Sequence, residues 1–246
     1  MNLNAVFRSL GPIDIRSIRR DSLISWMIYV PILLALLMRW GVPPLTARLV
    51  EQYNFDLAEY YPVLLAYFFV GMCPMMLGVV IGFLLLDEKD DRTLTALQVT
   101  PLSLGGYLFY RVSVPILLTI VLMFVIFPLA NLTPFDLRTV LISAIAAAPM
   151  APMLALYLAS FAQNKVQGFA LMKLSGIFFV APVFAYFTTS AWELAFGIIP
   201  TYWPMKVYWL LYAGETNVWL HLTVAVVYQL LVTVVFAKRF YKVLHQ

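Results

Sequence analysis

YPVLLAYFFVGMCPMMLGVVIGFLLL, residues 61–86, runs for twenty-six positions without an Asp, Glu, Lys or Arg. A helix rising about 1.5 Å per residue needs about 20 apolar residues to cross roughly 30 Å of hydrocarbon. This stretch is therefore long enough to span a bilayer and to tilt in it or extend beyond it. Five more stretches qualify: about 23–40, 107–130, 139–160, 168–188 and 217–237. Composition agrees, with 63% hydrophobic and 11% charged residues in 246, where a soluble domain carries about 45–50% and about 25%. A soluble fold of this length buries only part of such a surface, and lipid must solvate the rest. The expected fold is an all-α integral membrane protein, one transmembrane domain over 1–246 with six transmembrane helices.

Ahead of the first span lies a basic segment, residues 1–22, carrying Arg8, Arg16, Arg19 and Arg20. Val6, Leu10, Ile13 and Ser17 fall near one helical face, and a helix starting at Pro12 suits proline's tolerance of a first turn. The reading is an amphipathic cytoplasmic helix lying on the membrane surface. The basic stretch is too long for a cleavable signal, and Arg39 to Pro44 offers no small-residue cleavage site. An uncleaved first span ending near Trp40 is expected. Segment 189–215, with Trp192, Glu193, Pro200, Pro204, Lys206 and Glu215 among apolar residues, suits a re-entrant or interfacial outer segment before the last helix.

Lysine and arginine set the orientation. With the N-terminus inside, twelve cations fall on the cytoplasmic side and four, Arg39, Arg48, Arg138 and Lys206, outside. Both termini are then cytoplasmic, as expected for a multi-pass protein of a prokaryotic plasma membrane. Arg111 and Lys173 lie near cytoplasmic span ends, where they can snorkel.

The interior excludes several chemistries. Intramembrane carboxylates usually mark ion or proton pathways, and no Asp or Glu falls well inside a span. The lone Cys73 and the distant pair His221 and His245 give no metal site. No P-loop occurs, so a transporter made from this chain draws its energy elsewhere. Gly78-x-x-x-Gly82 and the small-residue stripe Ser143, Ala147, Ala151, Ala155, Ala159 predict close helix packing. Pro149 and Pro152 are expected to kink the fourth span and Pro182 the fifth.

The loop 87–104 differs from all else: Asp87, Glu88, Asp90 and Asp91 are a third of the protein's twelve acids. Asp90 or Asp91 can cap a short surface helix, Leu94 and Leu97 share one face of it, and Pro101 ends it. Such a helix suits docking to a soluble partner. Glu88, Arg92-Thr93-Leu94, Leu97 and Thr100-Pro101 resemble the Glu-x-x-x-[Gly/Arg]-Thr-[Leu/Ile]-x-x-[Leu/Ile]-x-x-[Ser/Thr]-Pro pattern of ABC-2 type transporter permeases. Arg92 stands where many members have glycine, a departure shared by some fluoroquinolone-export-like permeases. Ile199-Pro200-Thr201 to Gly214 and the ending Tyr228 to Tyr241 resemble that subgroup as well.

The resemblance implies the membrane subunit of an ATP-binding-cassette exporter, paired as a homo- or heterodimer with a second permease copy or paralogue. A separate ABC ATPase subunit, binding ATP and Mg in place of any cofactor in this chain, would dock on the coupling loop. Glu88, Asp91, Arg92, Thr93, Leu94, Leu97, Thr100 and Pro101 would form the coupling surface. The second and fifth spans would line the substrate route, presenting Phe68, Phe69, Met72 and Met76, and Phe178, Phe179, Phe184 and Tyr186. Adaptable methionine and aromatic walls suit a lipophilic or amphipathic compound such as a drug, natural product or peptide. A competing reading is an energy-independent membrane protein, such as a lipid scramblase or assembly scaffold. Catalysis by this chain and nucleic-acid binding have no support in the residues, since topology explains the cations.

Overall fold

A computed structural model describes residues 3–91, 104–188 and 190–244. The coupling residues Arg92, Thr93, Leu94, Leu97, Thr100 and Pro101 lie outside the described residues. The described chain is helical, with α1 Leu3–Arg20, α2 Ser22–Tyr53, α3 Leu57–Asp90 and α4 Leu104–Ala130. They are followed by α5 Leu137–Phe161, α6 Lys165–Tyr186, α7 Tyr202–Tyr212 and α8 Trp219–Leu244. Among the described residues six of these, α2 to α6 and α8, are long and apolar enough to cross a membrane.

The spans divide into two kinds. The apolar stretches of α3 and α5 are 89% and 83% buried within the protein, against 17–28% for the other four. The inner pair packs through its smallest residues. A Cβ on Gly78 would sit 2.5 Å from the Ala151 carbonyl oxygen, and one on Gly82 would sit 2.9 Å from Leu158 and 3.3 Å from the Ala155 carbonyl oxygen. Ala147, Ala151 and Ala155 are themselves buried. Lipid offers no hydrophobic gain for helix association, so backbone approach of this kind supplies dispersion contacts instead. The outer four helices keep apolar residues such as Leu37, Val121, Phe184 and Val235 exposed for lipid.

Proline effects depart from the sequence reading in two places. The first helix does not start at Pro12 but runs through it. Its inward face is Leu10 and Asp14, whereas Ile13 is 57% exposed. The face is therefore turned from the expected Val6–Leu10–Ile13–Ser17 line, because Asp14 has partners inside. The first span does not end near Trp40 either. It continues through Pro43 and Pro44 and stops at Asn54, whose φ of 53° lets its N–H return to Leu49 and Val50. The carbonyls those prolines leave unpaired belong to Arg39 and Trp40, exposed residues that water or headgroups can satisfy.

In α5 the helix is interrupted at 148–149, at Pro149 as expected, and the Ala146 carbonyl accepts the amide of the buried Gln229 at 2.9 Å. In α6 the helix is interrupted at Gly176, and Pro182 lies inside the helical stretch Ile177–Tyr186. Pro182 has no N–H for the Phe178 carbonyl, and the Thr201 hydroxyl donates to it instead. Residues Ala66–Gly71 of α3 form a π turn just ahead of Pro74, with Met72 N–H reaching the Tyr67 carbonyl.

Within the expected outer segment, the described residues 190–215 form a 3-10 helix, Ala191–Ile198, and then α7. Tyr202, Met205, Val207 and Tyr208 are buried, and Met205 Cε would lie 2.5 Å from a Cβ on Gly71. The segment is thus wedged into the bundle against the π turn. Eleven residues reach about 16 Å, too short to cross.

Candidate functional site

The last turn of α3 carries Asp87, Glu88 and Lys89, and successive helical side chains point about 100° apart. Each takes a different neighbour. Asp87 Oδ1 lies 3.0 Å from Lys165 Nζ at the start of α6. Lys89 Nζ donates to the Ala162 carbonyl, just past α5, at 3.2 Å. Glu88 accepts from Arg111 Nη2 and from the Tyr107 hydroxyl, both on α4. Three consecutive residues thereby tie the end of the inner helix to α4, α5 and α6.

Arg111 extends the tie to α1. Its Nη1 donates to Asp14 Oδ2 at 2.8 Å, and its Nε to the Tyr107 hydroxyl at 3.3 Å. The Tyr110 hydroxyl donates to the same Asp14 oxygen at 2.8 Å. The guanidinium carbon stands 5.3 Å from the Tyr107 ring centre and 5.5 Å from that of Tyr110. At 2% exposure Arg111 does not snorkel. A planar fork of five donors can serve two carboxylates and a hydroxyl at once, which a lysine ammonium cannot match.

A second clamp flanks the first. Lys165 Nζ lies 2.7 Å from Asp21 Oδ2, and Asp21 Oδ1 accepts the N–H groups of Leu23 and Ile24 at the start of α2. Burial raises the Asp21 carboxyl, but Lys165 and these backbone donors outweigh it and hold the group below its ordinary value. Every acid in the two clamps is matched by a cation or a donor, as buried charge requires.

Of the expected coupling residues, Glu88 is the centre of the clamp, and Asp91 is exposed at the end of α3. Asp91 lines a polar cleft of about 480 Å³ with Ser17, Arg20, Asp21 and Asp87. The expected route residues do not form one surface. Phe69 is buried edge-on against Phe127, their centres 5.1 Å apart. Phe68, Met72 and Met76 make a half-buried stripe along α3. Phe178 and Phe179 line an apolar cavity of about 200 Å³ with Met153, Tyr157, Val232 and Phe236. Phe184 is 61% exposed, and Tyr186 packs edge-on to Trp209 at 5.1 Å. Asp14, Tyr107, Tyr110 and Lys165 carry the clamps without having been singled out from sequence. At the other end of the bundle Glu193 Oε1 accepts from Lys206 Nζ at 2.6 Å and from the Tyr202 hydroxyl at 2.8 Å. Burial and then this bond push the Tyr202 hydroxyl above its ordinary value.

An inner helix pair, four helices with exposed apolar faces and a charge-clamped helix end define a multi-pass α-helical membrane protein. Its family is more specific. The model of the fluoroquinolones export permease protein Rv2686c-like family matches residues 14–237, and the chain belongs to that family. It is 30% identical over 234 residues to the fluoroquinolones export permease proteins Rv2686c and MT2760 of two Mycobacterium tuberculosis strains, covering 94% of this chain and 92% of each relative. No solved structure matches the chain.

Proposed function

We propose that this chain is the membrane-spanning subunit of an ABC-2 type exporter that moves a lipophilic or amphipathic compound outward. A separate ATPase, holding ATP and Mg, powers it by docking on the loop that follows α3. The observation that carries this reading is the clamp at Glu88. The residue that opens the loop motif is also the residue that grips α4 and, through Arg111, α1. A push on the loop therefore reaches α1, α4 and α6 through ion pairs, and α5 through the Lys89 hydrogen bond, rather than through slack chain. In this reading the termini face the cytoplasm of a prokaryotic cell, and segment 189–215 is a re-entrant outer hairpin. A second permease copy or paralogue completes the route, with Phe68, Met72, Met76 and the Phe178–Phe179 cavity as its walls in this subunit. The relatives' names specify fluoroquinolones; for this chain the substrate class is the broader set of drug-like amphipathic compounds.

The test is co-purification. The chain brings down a P-loop ATPase, and charged substitutions Leu94→Glu with Leu97→Glu lower both the association and the ATP turnover. Glu88→Gln leaves association intact while turnover loses its response to transported compound. If the double glutamate variant keeps association and turnover, the coupling assignment is wrong.

A further inference from the structure

Four residues near the end of α8, Val235, Lys238, Arg239 and Lys242, recur at i, i+3, i+4 and i+7 and share one helical face. With Phe161 and Phe236 they enclose a groove of about 400 Å³ beside the end of α5. Its floor is aromatic: the Phe161 and Phe236 rings stand edge to face, centres 5.8 Å apart, and Tyr157 lies 5.4 Å from Phe161. Its rim is cationic. The Arg239 guanidinium stacks 4.0 Å over the Phe161 ring, and its Nε reaches the Ser160 carbonyl at 3.4 Å. That anchorage fixes the guanidinium at the rim.

The partnering of cations at this end of the bundle is uneven. Arg111 and Lys165 use up Asp14, Asp21, Asp87 and Glu88, and Lys89 holds a carbonyl. Among the described residues no carboxylate pairs with Lys238, Arg239 or Lys242. Topology alone requires basic residues here but not an aromatic groove under them, nor an arginine fixed on its wall. Along the α8 face, apolar Leu231 and Val235, both exposed, give way to three cations that pair with no carboxylate among the described residues. That order matches a phospholipid with an anionic headgroup, acyl chain first and phosphate last.

We propose that this groove binds one anionic phospholipid, its phosphate between Arg239 and the two lysines and an acyl chain along Phe161, Val235 and Phe236. Charge complementarity and the apolar floor select it over a zwitterionic lipid, whose own cation the rim repels. The proposal is independent of the exporter reading, since it needs neither ATP nor the loop.

The experiment uses the full chain in detergent micelles with equal amounts of dioleoyl phosphatidylglycerol and phosphatidylcholine, read by native mass spectrometry. The wild type retains phosphatidylglycerol preferentially, and Arg239→Gln lowers that retention about five-fold, the effect of one surface cation. Lys238→Gln with Lys242→Gln lowers it further. A control with Arg39, Arg48 and Arg138 all changed to Gln, at the other end of the bundle, keeps the preference. Raising the salt concentration weakens phosphatidylglycerol retention by the wild type itself, an arm that needs no variant. Equal retention of the two lipids by the wild type overturns the proposal, as does an equal loss in the control. Displacement by glycerol phosphate as effective as by the whole lipid also overturns it, since the acyl floor would then contribute nothing.

Discussion

At the scale of single residues, Arg111 decides whether the end of α3 is held. Its charge is out of water, so its ion pairs matter mostly through what happens when one partner is removed. Arg111→Met leaves Asp14 and Glu88 with the Tyr110 and Tyr107 hydroxyls as donors but no cation, and the expected loss is about 3–5 kcal/mol. Arg111→Lys does not rescue it, because a single ammonium lacks the planar spread of donors that serves Asp14, Glu88 and the Tyr107 hydroxyl from one side chain. Removing the charges together, Asp14→Asn, Glu88→Gln and Arg111→Met, costs less than Arg111→Met alone, since no ion is then stranded. Thermal unfolding in detergent orders these variants, and an Arg111→Met protein as stable as the wild type would discard the clamp. Arg111 is visible in the sequence as a lone cation entering an apolar run, with Tyr107 and Tyr110 on the same face. Its acids are not, because they lie 97 and 23 positions away. A single sequence gives no measure of such distant pairing, and the tyrosine hydroxyls pass for interfacial anchors.

Helices, taken as whole elements, are legible where packing is written in local residue size and obscure where it depends on carbonyls. The Gly78 and Gly82 spacing and the alanine stripe of α5 can be read directly, and the structure brings these two surfaces together. The approach is tight enough to predict from. Gly78→Ala puts its methyl 2.5 Å from a backbone oxygen of Ala151, which cannot swing aside, so the pair must separate along its length. The expected cost is about 1–3 kcal/mol. Gly105 and Gly41 meet nothing within 4 Å, and alanine at either is neutral or stabilises by about 0.5–1 kcal/mol through the unfolded state. Equal melting temperatures for Gly78→Ala and Gly105→Ala would remove the tight interface from the account. The proline readings fared less evenly for a physical reason. A proline removes one backbone hydrogen bond, and the helix can run on where the abandoned carbonyl finds another donor. Exposed ends at Arg39 and Trp40, and the Thr201 hydroxyl at Phe178, supply that relief from outside the local sequence.

Over the whole molecule, six crossings place α1, Asp91, the start of α6 and the end of α8 at one end of the bundle. Tyr53, Phe135 and Glu215 lie at the other. The count depends on α7 not crossing, and its eleven residues reach only about half of the hydrocarbon thickness. In the proposed orientation, which the distribution of lysine and arginine favours, the first end faces the cytoplasm, where an ATPase and its nucleotide would be available to the loop after α3. Cysteine labelling tests this directly. Cys73 is fully buried, and Cys73→Ala provides a silent background. In intact cells a membrane-impermeant maleimide should label Tyr53→Cys, which replaces a 72% exposed residue, together with Phe135→Cys and Glu215→Cys. Asp91→Cys and Lys242→Cys should react only after the membrane is opened. Labelling of Lys242→Cys from outside, with Asp91→Cys still protected, would mean that segment 189–215 crosses after all and the bundle has seven spans. Labelling of Asp91→Cys from outside would turn the whole protein over. Glu88 and its clamp would then face away from ATP, and no soluble ATPase could act on the loop. The orientation of the bundle therefore decides whether the charge network at α3 can serve as a coupling device or only as a brace.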